Sequence, residues 1–309
     1  MAAHELLGLL IVLMGTGTVF GVQALLTHDW LMERLHRRRS SPFFRKLRIP
    51  WTAACAALAG CIAYAHWIEP FRFEVTHHEV RAPSLPEGYR LRILHLTDLH
   101  LESNGAAVDW ILETMRREKP DVIAMTGDYV NNMTAGWEAF TRLAEQLDAP
   151  FGVLAVIGNY DSRDPFEACS RIVTLHGFTR SLNIRGKHIN FCGRSFAPGS
   201  STVQRLSSIP PADYTVMLYH TPELIDVAAE NNVDLFLCGH THGGQVRLPF
   251  YGAVVTLSDT GKKYEAGMYN VGKMTAYVGR GIGNEGDAPR LRFLCRPEIT
   301  VFDVVGTGR

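Results

Sequence analysis

The stretch Leu91-Arg92-Ile93-Leu94-His95-Leu96-Thr97-Asp98-Leu99-His100 carries a short apolar run straight into two side chains that can hold a cation. A run of this length, rich in Leu and Ile, reads as a buried β-strand. The same punctuation recurs along the chain. Val122 to Met125 leads into Gly127-Asp128, Val153 to Ile157 into Gly158-Asn159-Tyr160-Asp161, Thr215 to Tyr219 into His220, and Leu235 to Cys238 into Gly239-His240-Thr241-His242. Carboxylate, amide and neutral imidazole groups therefore collect at one end of a sheet, and they suit Mn, Fe, Zn or Co. In an extended strand Asp98 and His100 would project from one face and reach one ion. Alone, Gly-Asp is a common turn and Asp-x-His a common loop cap. Five such clusters, each at the end of a strand, point to a metal site.

Helical spacing separates these strands over Val108 to Glu118, Trp137 to Leu147, Phe166 to Leu175 and Pro222 to Ala229. From Phe178 to Phe196 and from Val246 to Val305, short apolar runs broken by Gly, Pro and Asn read as strands without helices between them. The expectation is a mixed α/β domain in which two sheets pack face to face between helices.

Composition narrows the function. The 309 residues hold 31 Lys plus Arg against 31 Asp plus Glu, which argues against a nucleic-acid partner, since that needs a strongly basic face. Cys169, Cys192, Cys238 and Cys295 show no CxxC spacing, so neither a zinc knuckle nor a redox motif is present; Cys238 reads as core.

The first 70 residues read as a membrane anchor and residues 71–309 as the catalytic domain. Leu6 to Leu26 is 21 residues without a formal charge, long enough to span a bilayer as a helix. Trp51 to Ile68 is a second, shorter apolar segment. A cleaved signal peptide fits less well, because Met1 to Glu5 lacks a basic segment. Gly17 and Gly21 form a GxxxG pair that reads as composition rather than a helix contact. The linker carries Arg34, Arg37, Arg38, Arg39, Arg45, Lys46 and Arg48, a pattern that keeps it in the cytoplasm. Two full spans then put the domain on the outer face of a bacterial cell membrane. A second segment lying in the interface would put it in the cytoplasm.

The motifs Asp98-Leu99-His100, Gly127-Asp128, Gly158-Asn159-Tyr160-Asp161, His220 and Gly239-His240-Thr241-His242 together resemble the calcineurin-like metallophosphoesterase superfamily, from about Tyr89 to Val305. Gly239 to Gln245, Arg280 to Gly283 and Pro297 to Ile299 look like its membrane-anchored bacterial branch. The resemblance implies a four-layer α/β/β/α sandwich and two divalent ions, with Mn favoured. It also implies that Asp98, His100, Asp128 and His242 hold one ion, and Asp128, Asn159, His220 and His240 the other. Two ions clamp the phosphoryl oxygens and lower the pKa of a water, which attacks phosphorus in line.

Tyr160 departs from the family pattern, which commonly has a His that protonates the leaving group. Tyr has an ordinary pKa of about 10 and is a poor acid near neutrality. The departure favours a leaving group of low pKa, as in a pyrophosphate or activated diester. The UDP-2,3-diacylglucosamine pyrophosphatases, which also depart here, act on a membrane-embedded substrate. A site tethered to a bilayer meets phospholipid or lipid-linked phosphate at high effective concentration, the expected substrate pool. The rival reading is a catalytically weak, membrane-bound metal-binding or signalling scaffold with the same fold.

Among weaker signals, Gly281, Gly283 and Gly286 match GxGxxG without the context of a dinucleotide site and read as a loop at the pocket rim. Arg280 and Arg290 read as solvated surface or as phosphate contacts. Asp161 reads as a cap of the following turn rather than as a metal ligand.

Overall fold

The computed structural model describes residues 3–35, 38–103, 105–131, 134–161, 169–196, 209–284 and 290–308. Arg37, Gly286 and the first part of the segment 166–175 lie outside them.

Two helices come first, α1 (Ala3–Arg34) and α2 (Pro42–Trp67). Ser41 caps α2 by accepting the Phe44 N–H at 3.3 Å, and Pro42 fits the first turn, where no intrahelical donor is needed. The helices outrun the apolar spans, so Arg45, Lys46 and Arg48 sit on α2 rather than in a linker. Arg48 reaches Asp29 and Glu33 at 3.3 and 3.2 Å, and Arg38 reaches Asp29 at 3.1 Å, so acids of α1 answer part of the basic charge. Trp51 donates to the Val19 carbonyl at 3.1 Å across the hairpin. Positions 17 and 21 face open space, in line with the compositional reading of the GxxxG pair.

Beyond the hairpin the strands are β1 (Glu74–Ala82), β2 (Arg90–Leu96), β3 (Val122–Met125), β4 (Val153–Ala155), β5 (Ile172–Thr174), β6 (Phe178–Ile184), β7 (Lys187–Gly193), β8 (Tyr214–Leu218), β9 (Leu235–Cys238), β10 (Arg247–Leu248), β11 (Gly252–Ala253), β12 (Gly267–Val271), β13 (Met274–Val278) and β14 (Glu298–Gly306). One six-stranded sheet runs β1-β14-β2-β3-β4-β5 and the other β12-β13-β9-β8-β7-β6. β2 to β5 are parallel neighbours, as are β7, β8, β9 and β13, so the loops after β2, β3 and β4 leave one edge together, as do those after β8 and β9.

Alternation along each strand makes the layers. Leu94 and Leu96 of β2 face α3 (Ala106–Glu118) and α4 (Ala135–Gln146), packing with Ile111, Leu112, Phe140 and Leu143. Leu91 and Ile93 face the other way and meet Val216, Leu218, Leu235 and Leu237 of the second sheet. On that sheet's far side, Met217, Phe236 and Ala276 pack on Leu224 and on Ile225 and Ala228 of α5 (Ile225–Ala229). Three apolar seams thus separate four layers, helix, sheet, sheet, helix. This is the expected α/β/β/α sandwich.

One expected helix is not observed as such. Within 166–175, Ile172 to Thr174 form β5, the edge strand beside β4. The run Ile-Val-Thr is β-branched throughout, and that preference for a pleated surface outweighs the apolar spacing.

Candidate metal centre

Each of the five motif loops starts where an apolar strand stops, and their side chains converge. Asp98, His100 and His242 place one ligand atom each within 4.8 Å of one another, and Asp128, His220 and His240 do the same. His100 and His242 bring their Nε2 atoms to 3.1 Å. The Asp128 carboxylate lies between the groups, 3.7 Å from His100 Nε2 and 3.1 Å from His220 Nε2. Asn159 Oδ1 sits 2.8 Å from His220 Nε2, and Asn159 is exposed beside buried Asp128 and His220 and half-buried His240. All seven side chains singled out as metal ligands therefore meet in one place.

The backbone that brings them there is not extended strand. Asp98, His100, Asp128, His240 and His242 all have left-handed φ, between 41° and 72°. Asp98 and His100 thus reach the same place by two tight turns, which replaces the expectation that they share a strand face. Such conformations cost on the order of 1 kcal/mol or more each, so five draw on a large part of a domain's 5–15 kcal/mol of stability. Hydrogen bonds hold the turns: His240 N–H donates to both Asp98 oxygens at 3.0 Å, and Tyr160 N–H to Asp128 Oδ1 at 2.9 Å. A side chain at Gly158 or Gly239 would collide with the Asp128 or Asp98 carboxylate, which explains the glycines preceding Asn159 and His240.

Outer partners fix the imidazoles. His220 Nδ1 faces the Thr126 carbonyl at 2.8 Å, His100 Nδ1 the Asn131 Oδ1 at 2.6 Å and His240 Nε2 the Leu257 carbonyl at 3.2 Å. Each acceptor takes one N–H and leaves the other nitrogen's lone pair for a cation. Burial, foremost, pushes His100, His240 and His242 down, toward the neutral form that ligates. Burial pushes the Asp98 carboxyl up to about 7. Burial opposes charge on His220 as well, but the Asp128 carboxylate beside it raises it to about 10. Two buried carboxylates and several imidazole nitrogens face one another here, and divalent cations would satisfy both, with His220 giving up its proton on binding. The residues present fit two such ions.

Tyr160 lies at the edge of the cluster, its ring 5.2 Å from that of His100 and near perpendicular to it. Asp161 does more than cap the following turn. Its carboxylate accepts from Gly158 N and, across the site, from Asp128 N and Tyr129 N, all at 2.8 Å, tying the third motif loop to the second. Burial pushes this carboxyl up to about 6 against those three donors.

Other expectations resolve differently. Arg280 is locked to Glu74 at 2.5 Å and to Glu298, whereas Arg290 is exposed, as the surface reading expects, and pairs there with Glu102. Gly281 to Gly283 are not a loose rim: Ile282 N and Gly283 N donate to the Asp98 carbonyl at 3.1 and 2.8 Å, pressing this loop against the first motif. The acceptors Thr126, Asn131 and Leu257 carry no motif of their own, and sequence reasoning missed them. A polar residue, Asn131, three positions beyond Asp128 was the one readable sign.

Fold and site together define a metal-dependent phosphoester hydrolase, and the chain belongs to the calcineurin-like phosphoesterase family, which it matches over residues 91–244. It is 32% identical over 301 residues to the uncharacterized metallophosphoesterase YkuE of Bacillus subtilis, covering 90% of this chain and 100% of that one. Phosphodiesterase YaeI of Escherichia coli is 29% identical over 274 residues, 82% of this chain and 96% of its own. An uncharacterized metallophosphoesterase of Aquifex aeolicus is 26% identical over 263 residues, 80% and 97% of the two chains.

Proposed function

We propose that this protein is a membrane-anchored hydrolase of phosphodiester or pyrophosphate bonds in a lipid-linked substrate. Asp98, His100, Asp128 and His242 hold one divalent ion, and Asp128, Asn159, His220 and His240 the second, with Mn favoured. When bound, the ions supply Lewis-acid charge for the phosphoryl oxygens and acidify water near neutral pH. The chain's own part is positional. Asp128 joins the two ligand groups, the outer carbonyls fix the imidazole tautomers, and exposed Asn159 marks the side from which substrate arrives. The observation that carries the reading is the pair of adjoining ligand triads. The phosphodiesterase name of the Escherichia coli relative supports a diester.

The lipid part rests on the hairpin. Leu9–Arg34 and Pro42–Phe71 are long and apolar enough to cross a membrane, and only 6% of each apolar window is buried. Residues such as Ile11 and Met14 are 62% and 70% exposed, a patch that a bilayer would cover. Residues 1–70 are thus the anchor and 71–309 the catalytic domain, which faces outward if both helices span. Tyr160, a poor acid near neutrality, favours bonds whose leaving group needs no proton.

The test uses the full chain in detergent micelles with Mn²⁺, measuring bound ions and hydrolysis of bis-p-nitrophenyl phosphate and of mixed-micelle phospholipid. Two ions per chain with turnover of both is expected. Two ions without turnover of any diester or pyrophosphate would favour a binding scaffold, and turnover of soluble diesters alone would remove the lipid.

A further inference from the structure

The loop 290–296 is held from two sides. On one side are the end of α2 and the turn that follows it: Arg292 N–H donates to the Ala65 carbonyl at 2.9 Å, His66 Nδ1 faces the Arg290 carbonyl at 2.9 Å, and Cys295 N–H donates to the buried carboxylate of Glu69 in the turn. Tyr64 sets its ring edge on Phe293 with centroids 6.4 Å apart. On the other side is the motif loop carrying His242: Phe293 N–H donates to the Gln245 carbonyl, and Arg247 N–H to the Phe293 carbonyl, both at 2.9 Å. Two side chains complete the bridge. Cys295 Sγ donates to the His242 carbonyl at 3.2 Å, and Arg292 Nη2 approaches His242 Nδ1 at 3.5 Å.

Arg292 is fully buried, and among the described residues no carboxylate forms an ion pair with it. Its guanidinium donates instead to the carbonyls of Arg280, Gly283 and Cys295, which belong to the loops around His242 and Asp98. A buried cation is costly unless it is hydrogen-bonded, and these carbonyls supply the bonds. Here it sets the position of three carbonyls and one ligand imidazole at once.

We infer that the end of α2 and the turn after it are a positioning element for the metal centre: Ala65 of the helix and Glu69 of the turn hold the loop 290–296, and Arg292 and Cys295 of that loop set the place of His242. Arg292 and Glu69 are positioning residues that act through His242. His240 shares the motif loop that is braced, but Arg292 and Cys295 contact His242 itself, so the larger influence falls on the ion proposed for Asp98, His100, Asp128 and His242. Because α2 is one of the two helices long enough to cross a membrane, its depth in a bilayer reaches His242 by two short routes, from Ala65 through Arg292 and from Glu69 through Cys295. The inference rests on the proposed two-ion site.

The experiment measures Mn²⁺ binding to the full chain in micelles by calorimetry and electron paramagnetic resonance, without substrate. Asn159→Ala identifies which of the two affinities belongs to the second ion. Glu69→Ala removes the acceptor for Cys295 N–H and is expected to weaken the other ion by about 10- to 100-fold, the usual cost of losing an outer partner of a ligand. Glu69→Gln keeps a carbonyl acceptor and is expected to restore most of that affinity. Equal weakening of both ions, no weakening, or failure of Gln to rescue would overturn the inference, because a general folding defect has no reason to choose one ion or one acceptor. If the unaltered chain binds no Mn²⁺, the two-ion reading fails and the inference fails with it.

Discussion

The two ligand triads are built to different degrees of closure. Asp98, His100 and His242 are all buried, and their loops are braced by Gly281 to Gly283, Arg292 and Cys295. Asp128 and His220 are equally enclosed, but their companions His240 and Asn159 open toward solvent. One half of the site is thus set into the fold, and the other forms its mouth. In the proposed two-ion site the difference would assign roles: the enclosed half would retain its ion and fix the frame, while the open half would exchange ion, water and substrate.

Removing the group common to both halves should produce the largest effect. Asp128→Ala deletes the carboxylate between the triads, and the ions together supply several kcal/mol of charge stabilisation. At about 1.4 kcal/mol per tenfold, kcat/KM for bis-p-nitrophenyl phosphate is expected to fall by about 1000-fold or more. Both ions should weaken as measured by metal analysis after dialysis. Retention of two tightly held ions in this variant would break the comparison, since the halves would not share a ligand.

Tyr160 tests the mouth. Tyr160→His introduces a group whose ordinary pKa of about 6.5 lets it donate a proton near neutrality, so hydrolysis of alkyl diesters is expected to rise by up to about 100-fold. Hydrolysis of p-nitrophenyl diesters, whose leaving group needs no proton, should change little. An equal gain on both substrates, or none on either, would show that Tyr160 does not limit proton supply.

Chelation compares the halves directly. With excess chelator, the two Mn²⁺ ions should leave in separate phases, about tenfold or more apart, because the open half needs less local unfolding to release its ion. Stopped-flow chelator absorbance reads both phases. Asn159→Ala should accelerate the fast phase alone; if it accelerates the slow one, the enclosed and open halves have been assigned the wrong way round.

The legible and illegible parts of this molecule divide along physical lines. The convergence of the seven candidate ligand residues was readable because each follows an apolar strand, and a strand end fixes where a side chain emerges. Their left-handed backbone was not, since nothing in Asp98-Leu99-His100 distinguishes a tight turn from the last residues of a strand. The layers followed from alternation, as Leu91 and Ile93 against Leu94 and Leu96 show. β5 was hidden because three β-branched residues sit inside an apolar spacing that also suits a helix. The pairing of Arg280 with Glu298 and Glu74 and the clasp between α2 and the loop 290–296 join residues far apart in the chain, and local pattern holds no trace of such contacts.

Asp161 offers the smallest effect and the finest test, because it joins the loops of two motifs without touching the enclosed triad. Its two oxygens serve three backbone donors, at 2.8 Å each. An Asn there keeps one oxygen and turns an amine toward an N–H that it cannot accept. One buried donor is left without a partner, at about 1–3 kcal/mol. In a domain of this size each kcal/mol lowers Tm by about 2–4 °C, so Asp161→Asn should melt about 2–12 °C lower in differential scanning calorimetry. Saturating Mn²⁺ should narrow the gap, because an ion bound to the folded state holds the Asp128 loop in place from its other side. Activity should drop only a few-fold, less than the tenfold that about 1.4 kcal/mol would bring, since no ligand atom is removed. An unchanged Tm would mean that the Asp128 loop is held by its own turn and the ion rather than by Asp161. The open half would then owe its geometry to metal binding, and its contrast with the enclosed half would become larger.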